Sequence, residues 1–271
     1  MSLVETDWLN QNLNKVKIID CSWHMPQTKR NGLEEYKNQH IPNSIFFDLD
    51  ANSKKEINLP HMLVSQNDWA QIVSKMGIKN EDEIVIYDNS DVISSCRCWF
   101  NFIYFGHNPK LVHVLNGGLK KWIKENKEVT NDATNIRISD YKSFEKKDLV
   151  KNKEQIDVNI EEKNFKLIDA RSKERFDGKA PEPRKGLKSG SIKNSFCIPF
   201  NFCLNEDKTF KSKKDLKPIF ETCLKNINEK DIVFSCGSGV TACVLALAYS
   251  LINDKYRPCI YDGSWAEYGI I

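Results

Sequence analysis

The chain has 271 residues, 40% apolar and 28% charged, which is material for one large domain or two ordinary ones with a sizeable core. A net charge of +3, with the lysines spread along the chain, excludes a concentrated nucleic-acid footprint. The longest apolar run, "ACVLALAYSLI" (Ala242–Ile252), falls short of the roughly 20 residues a bilayer takes, so no membrane span is expected.

The opening stretch "MSLVETDWLNQNLNK" has no apolar core of signal-peptide length. Nine cysteines occur, none in a CxxC pair, and Cys96 and Cys98 come nearest as CxC. That spacing suits neither a zinc site nor a disulfide framework. Reduced thiols in a cytoplasmic protein without a metal are the expectation.

In chain order, short apolar runs predict strands at Ile18–Asp20, Ile84–Tyr87 and Val112–Leu115, then at Leu167–Asp169, Ile232–Ser235 and Cys259–Tyr261. Helical periodicity falls over Trp69–Met76 and Leu216–Asn226, with Asp68 as the expected cap of the first. This alternation predicts an α/β protein whose sheets are mostly parallel and covered by helices on both faces. The polar stretch "VTNDATNIRISDYKS" has no strong period and is expected to be a linker, its tail already joining the second domain. The predicted organisation is residues 1–128, a linker at 129–143, and residues 144–271.

The two halves repeat the same stations in the same order. "VKIIDCSW" parallels "FKLIDARS", and "HIPNSIFFDLD" parallels "SIKNSFCIPFN". "DEIVIYDNSD" parallels "KDIVFSCGSG", and "LVHVLNGGLKKW" parallels "PCIYDGSWAEY". Matches kept in register along the chain predict an internal duplication. The second half lacks the His-Ile-Pro of the first in its "GSIKNS".

One station carries chemistry. Cys236 follows the strand "IVFS" and precedes the helical run from Thr241. Ligands of α/β sheets sit at such strand-to-helix turns. Gly237 and Gly239 allow successive backbone N–H groups to point inward as an anion-binding nest, and the helix start adds partial positive charge. Both effects favour a thiolate, the reactive form. The alternative is a buried structural cysteine beside a glycine turn. Cys243, within the helix, is expected to pack.

"CGSGVTAC" after an apolar strand and "YDGSW" after the next resemble the tandem-domain rhodanese family, most of all its branch acting on 3-mercaptopyruvate. "HMLV", "IVIYDNSD", "GGLKKW", "IDARSKERF" and "PEPRKG" extend the likeness over nearly the whole chain. The resemblance implies two rhodanese-like domains and a catalytic Cys236 heading the loop Gly237, Ser238, Gly239, Val240 and Thr241. In the first half Asp88 stands at the nucleophile's place, which implies an inactive domain forming one wall of an interdomain cleft. Members of the family continue past the point where "YDGSWAEYG" nearly ends this chain, which implies a shortened last turn.

The family's thiosulfate users carry an Arg-Lys pair after the cysteine, where this chain has Gly237 and Ser238. The neutral loop implies an organic donor, 3-mercaptopyruvate, with thiosulfate as the alternative. Arg175 and Arg184 are then expected to hold the donor's carboxylate and keto oxygen, a task suited to guanidinium forks. Arg171 is assigned to domain structure. Ser238, His61 and Asp50 are implied as a proton relay. The acceptor would be cyanide or a thiol such as thioredoxin, with no cofactor, in a monomer. Two further alternatives are a sulfur-carrier or non-catalytic binding module, which a damaged loop would favour, and a cysteine phosphatase. The phosphatase needs an arginine six positions after the cysteine, where this chain has Ala242.

Overall fold

The computed structural model describes residues 2–224 and 231–271. They divide into two compact units. The first comprises Met1–Lys54, Leu63–Lys146 and Asp207–Thr209; the second comprises Lys55–Met62, Lys147–Glu206 and Phe210–Ile271.

The first unit contains β1 (Leu3–Val4), α1 (Thr6–Asn12), β2 (Lys17–Asp20), α2 (Gly32–Asn38), β3 (Ser44–Phe46), α3 (Gln66–Lys75), β4 (Ile84–Tyr87), α4 (Ser95–Tyr104), β5 (Val112–Leu115) and α5 (Gly118–Lys124). Its strands lie in the order β1-β5-β4-β2-β3. The pairings are parallel, with Ile18 opposite Val85 and Ile86 opposite Val114. Residues Ile84 to Tyr87 of the middle strand have no exposed surface, because helices cover both faces of the sheet. A continuous apolar run, rather than an alternating one, follows from that.

The second unit contains β6 (Val150–Lys151), α6 (Lys153–Glu162), β7 (Lys166–Asp169), α7 (Lys173–Phe176), β8 (Phe196–Cys197), α8 (Lys213–Glu221), β9 (Ile232–Ser235), α9 (Thr241–Ile252), β10 (Ile260–Tyr261) and α10 (Ser264–Tyr268). The order β6-β10-β9-β7-β8 repeats that of the first unit strand for strand, again parallel. Helix α9 is apolar all round and buried from Ala242 to Tyr249, packing against the β9 sheet on one side and α8 on the other. Val233, Tyr261 and Trp265 join Ile156 and Leu167 in one apolar cluster on the sheet.

Several boundaries differ from the sequence reading. Helix α3 starts at Gln66, and its cap is Ser65, not Asp68: the Ser65 Oγ accepts the Asp68 N–H at 3.2 Å. Apolar periodicity sees only the buried face, so it begins at Trp69 and passes over the polar first turn. Helix α8 likewise starts at Lys213 behind the cap Ser212 and ends at Glu221. Asn226, the expected end of that helix, lies outside the described residues. Strands β1, β3, β6 and β8 are two or three residues long, too short to leave a periodic signal.

The polar segment after Val129 runs along the first unit, and so does its tail, which was expected to join the second. The Tyr141 N–H donates to Ser74 Oγ at 3.0 Å, Phe144 N–H to the Phe105 carbonyl at 2.9 Å, and Lys146 N–H to that of Tyr104 at 2.8 Å.

Candidate active site

Strand β9 ends at Ser235 and delivers Cys236 at its carboxyl end, buried to 2% exposure. The loop is held from behind by α10. Ser264 Oγ accepts the Cys236 N–H at 3.1 Å, and that hydroxyl donates to the Tyr261 carbonyl at 2.8 Å. Trp265 and Ala266 N–H groups donate to the carbonyls of Cys236 and Gly237, each at 2.9 Å. The first amides of α10 are thus satisfied by loop oxygens, and those oxygens are turned toward α10.

Gly239 has φ of +74°, a left-handed conformation that suits glycine. It is followed by Val240, buried, and by Thr241, the first residue of α9. No side chain caps the start of α9, which leaves the positive end of that helix beside the loop. Cys243 Sγ donates to the Gly239 carbonyl at 3.2 Å, so its role is packing and loop support.

Arg175 stands on α7, where Ser172 caps the first turn by accepting its N–H at 3.4 Å. Arg184 follows nine positions later, after Pro181 and Pro183. Both guanidiniums reach the loop. A Cβ placed on Gly237 would lie 3.2 Å from Arg175 Nη2 and 3.7 Å from Arg184 Nη1. Arg184 Nη2 also donates to Ser238 Oγ at 3.3 Å. Gly237 therefore serves close approach more than backbone freedom.

His61 belongs to the second unit and is buried at 3% exposure, with φ of +61°. Its Nδ1 lies 3.0 Å from Ser238 Oγ. Asp50 lies in the first unit, where its Oδ2 accepts the Trp23 Nε1–H at 2.9 Å. The second unit thus brings together Cys236, Gly237, Ser238, His61, Arg175 and Arg184.

Arg171 is structural, as expected. It is buried, paired with Asp169 at 2.7 Å and Glu182 at 2.7 Å, and stacked 4.4 Å from the Trp265 ring centroid. Two residues escaped the sequence reading. Glu182 sits inside "PEPR", and its signal is an acid held between prolines two positions before Arg184. Ser264, the partner of the Cys236 amide, sits in "YDGSW", where only proximity in space reveals its role.

In the first unit Asp88 follows β4 as Cys236 follows β9. Its carboxylate accepts the N–H groups of Ser90 at 2.8 Å and Ser95 at 2.9 Å, so it closes its own loop. Burial pushes its carboxyl above the usual range. The place that Cys236 holds in the second unit is thus taken in the first by a loop acceptor. Elsewhere burial pushes the thiols of Cys203 and Cys259 up to about 12, which keeps them protonated and inert. Among the described residues no cluster of three or more His, Cys, Asp or Glu is placed to hold a metal ion, and no helix is long and apolar enough to cross a membrane.

Comparison with known proteins places the chain in a family. The model of the rhodanese-like domain matches twice, at residues 5–125 and 152–270. The thiosulfate/3-mercaptopyruvate sulfurtransferase 1, mitochondrial, of Arabidopsis thaliana is 40% identical, covering 98% of this chain and 75% of that protein. The thiosulfate sulfurtransferase of Bos taurus is 37% identical over 98% of this chain and 91% of its own. The crystal structure of SseA, a 3-mercaptopyruvate sulfotransferase from Escherichia coli, superposes with a TM-score of 0.86 at 29% identity, covering 98% of this chain and 99% of that one. The chain belongs to the rhodanese family and carries two rhodanese-like domains.

Proposed function

We propose that this sulfurtransferase takes sulfur from 3-mercaptopyruvate through a persulfide on Cys236, releases pyruvate, and passes the sulfur to a thiol or to cyanide. The observation that carries this reading is the approach of Arg175 and Arg184 to Gly237, one residue from the cysteine. A guanidinium pair beside a neutral loop suits a carboxylate-bearing donor.

The chemistry runs in two halves. The donor carboxylate docks on Arg175 and Arg184, and the Cys236 thiolate attacks the donor sulfur. An S–S bond forms, the C–S bond breaks, and its electron pair leaves with pyruvate as the enolate. The enolate carbon takes up a proton, which Ser238 and His61 help supply. The Cys236 persulfide rests against the amides of the 237–241 loop and the uncapped start of α9. An acceptor thiolate, thioredoxin-like, or cyanide then attacks the outer sulfur and frees the Cys236 thiolate. Ping-pong kinetics follow. Asp50 enters this reading on the resemblance alone, and the Asp50→Asn variant tests it.

A second reading is thiosulfate as donor. Relatives carry that name, and the same two guanidiniums suit a dianion. Comparing kcat/KM for the two donors decides between them: a higher value for 3-mercaptopyruvate upholds the first reading, and a higher value for thiosulfate replaces it. We further read the enzyme as a cytoplasmic monomer that needs no cofactor and no nucleic acid, its cysteines reduced.

A further inference from the structure

Glu182 is a buried charge to which the mechanism above gives no task. The Glu182 side chain is 2% exposed, yet it carries two guanidiniums. Arg171 gives Nη1–H to Oε1 at 2.7 Å. Arg175 gives Nη2–H to Oε2 at 2.6 Å and Nε–H to Oε1 at 3.2 Å, a fork that takes both carboxylate oxygens.

Arg171 cannot yield to suit Arg175. Its Nε and Nη2 donate to Asp169 Oδ2 at 2.9 and 2.7 Å, Nη2 also donates to the Gly190 carbonyl at 2.8 Å, and its plane lies on Trp265. Asp169 is the last residue of β7. A row of alternating charge (Asp169, Arg171, Glu182, Arg175) thus runs from the sheet to α7. Pro181 and Pro183 on either side of Glu182 restrict its backbone.

This row decides how Arg175 meets a donor. The fork with Glu182 uses the Nε side of the guanidinium and one Nη2–H, two of its five N–H groups. The remaining N–H groups have no partner among the described residues, and they form the Nη1/Nη2 end, whose Nη2 approaches Gly237. That end is itself a fork of the kind carboxylates accept. The Arg175 side chain is 22% exposed, so without a clamp it could turn into solvent.

We propose that Glu182 is the positioning residue that aims the Nη1/Nη2 end of Arg175 at the carboxylate of the sulfur donor. The inference rests on the assignment of Arg175 to donor binding. Glu182 touches neither the donor nor Cys236; it acts through Arg175.

The test is a double-mutant cycle on Glu182→Gln and Arg175→Gln, measuring KM for 3-mercaptopyruvate, Ki for pyruvate, and kcat at saturating acceptor. Glu182→Gln alone is expected to raise KM and Ki by roughly tenfold with kcat within about twofold, the pattern of lost binding that is equal in ground and transition states. In the Arg175→Gln background the same change is expected to add nothing, because its effect runs through Arg175. An equal rise in both backgrounds would mean a purely structural role and overturns the proposal. So does an unchanged KM in Glu182→Gln when Arg175→Gln raises it. An unchanged KM in Arg175→Gln overturns the donor assignment itself, and Glu182 with it. Glu182→Asp keeps the charge with a shorter reach, and an intermediate KM is expected. It serves where Glu182→Gln does not fold, and a wild-type KM in it counts against the proposal.

Discussion

His61 Nδ1 lies 3.0 Å from Ser238 Oγ, and Arg184 Nη2 donates to that same oxygen at 3.3 Å. Arginine can only donate, so the Ser238 hydroxyl proton is available to His61. In the proposed mechanism donor recognition and proton movement therefore meet on one oxygen, two residues from Cys236. Ser238→Ala is expected to lower kcat with 3-mercaptopyruvate by about 100-fold, at the low end of what a positioned acid–base group contributes. His61→Ala should cost a similar factor, and the double variant little more than either, since groups acting as a unit are not additive. Steady-state kinetics check this, and additive losses would mean that the two residues act apart.

Gly237 is a second point of leverage. A Cβ there would lie 3.2 Å from Arg175 Nη2, the far end of a long side chain rather than backbone, and no left-handed backbone is involved. Gly237→Ala is therefore expected to cost no more than about 1 kcal/mol of stability, because the guanidinium has only a few tenths of an ångström to give. By pushing a guanidinium aside it should raise KM for 3-mercaptopyruvate by about 3- to 10-fold. An unchanged KM would mean that the donor is not read at this spot.

The two units differ in how they treat the acid that ends their second strand. Asp169 is neutralised by Arg171 at 2.7 Å. Asp20 has Ser22 at the matching place, and Ser22 N–H donates to its Oδ1 at 2.9 Å. Burial therefore pushes the Asp20 carboxyl up to about 7. The native state holds this proton and the unfolded chain releases it near pH 4, so the stabilisation is whole below about pH 4 and is lost as the pH rises through about 7. Asp20→Asn, neutral throughout, should gain on the parent chain as pH rises. The gain in unfolding free energy from pH 5 to pH 8 is expected to be on the order of 2–3 kcal/mol. Denaturant titrations at the two pH values measure it, and an equal difference at both would contradict the assignment.

The legible parts of the fold share a cause. Strands β4 and β9 are buried on both faces, so their apolar runs stand out. Residues Leu3 and Val4, or Val150 and Lys151, pair at sheet edges over two positions, where two residues make no pattern. Ser65 and Ser212 cap helices through one hydroxyl each, and apolar periodicity is blind to a polar first turn. At the site, Cys236 and its glycines could be read locally because strand, loop and helix follow one another directly. Arg175, Arg184 and His61 were reached through the family resemblance. Glu182 and Ser264 could not be reached that way. The partner of Ser264 lies 28 positions away, and Glu182 stands in a motif read for its arginine.

The proposed route of sulfur runs through Cys236. The protein is treated with 3-mercaptopyruvate in the absence of acceptor, digested, and its peptides are weighed. The peptide bearing Cys236 should gain one sulfur, about 32 Da, lose it on addition of a thiol, and show no gain in Cys236→Ser, which should also cease turnover. Pyruvate released by Cys236→Ser at the normal rate contradicts this route, and so does sulfur found on another cysteine, such as Cys197 or Cys223, and not on Cys236.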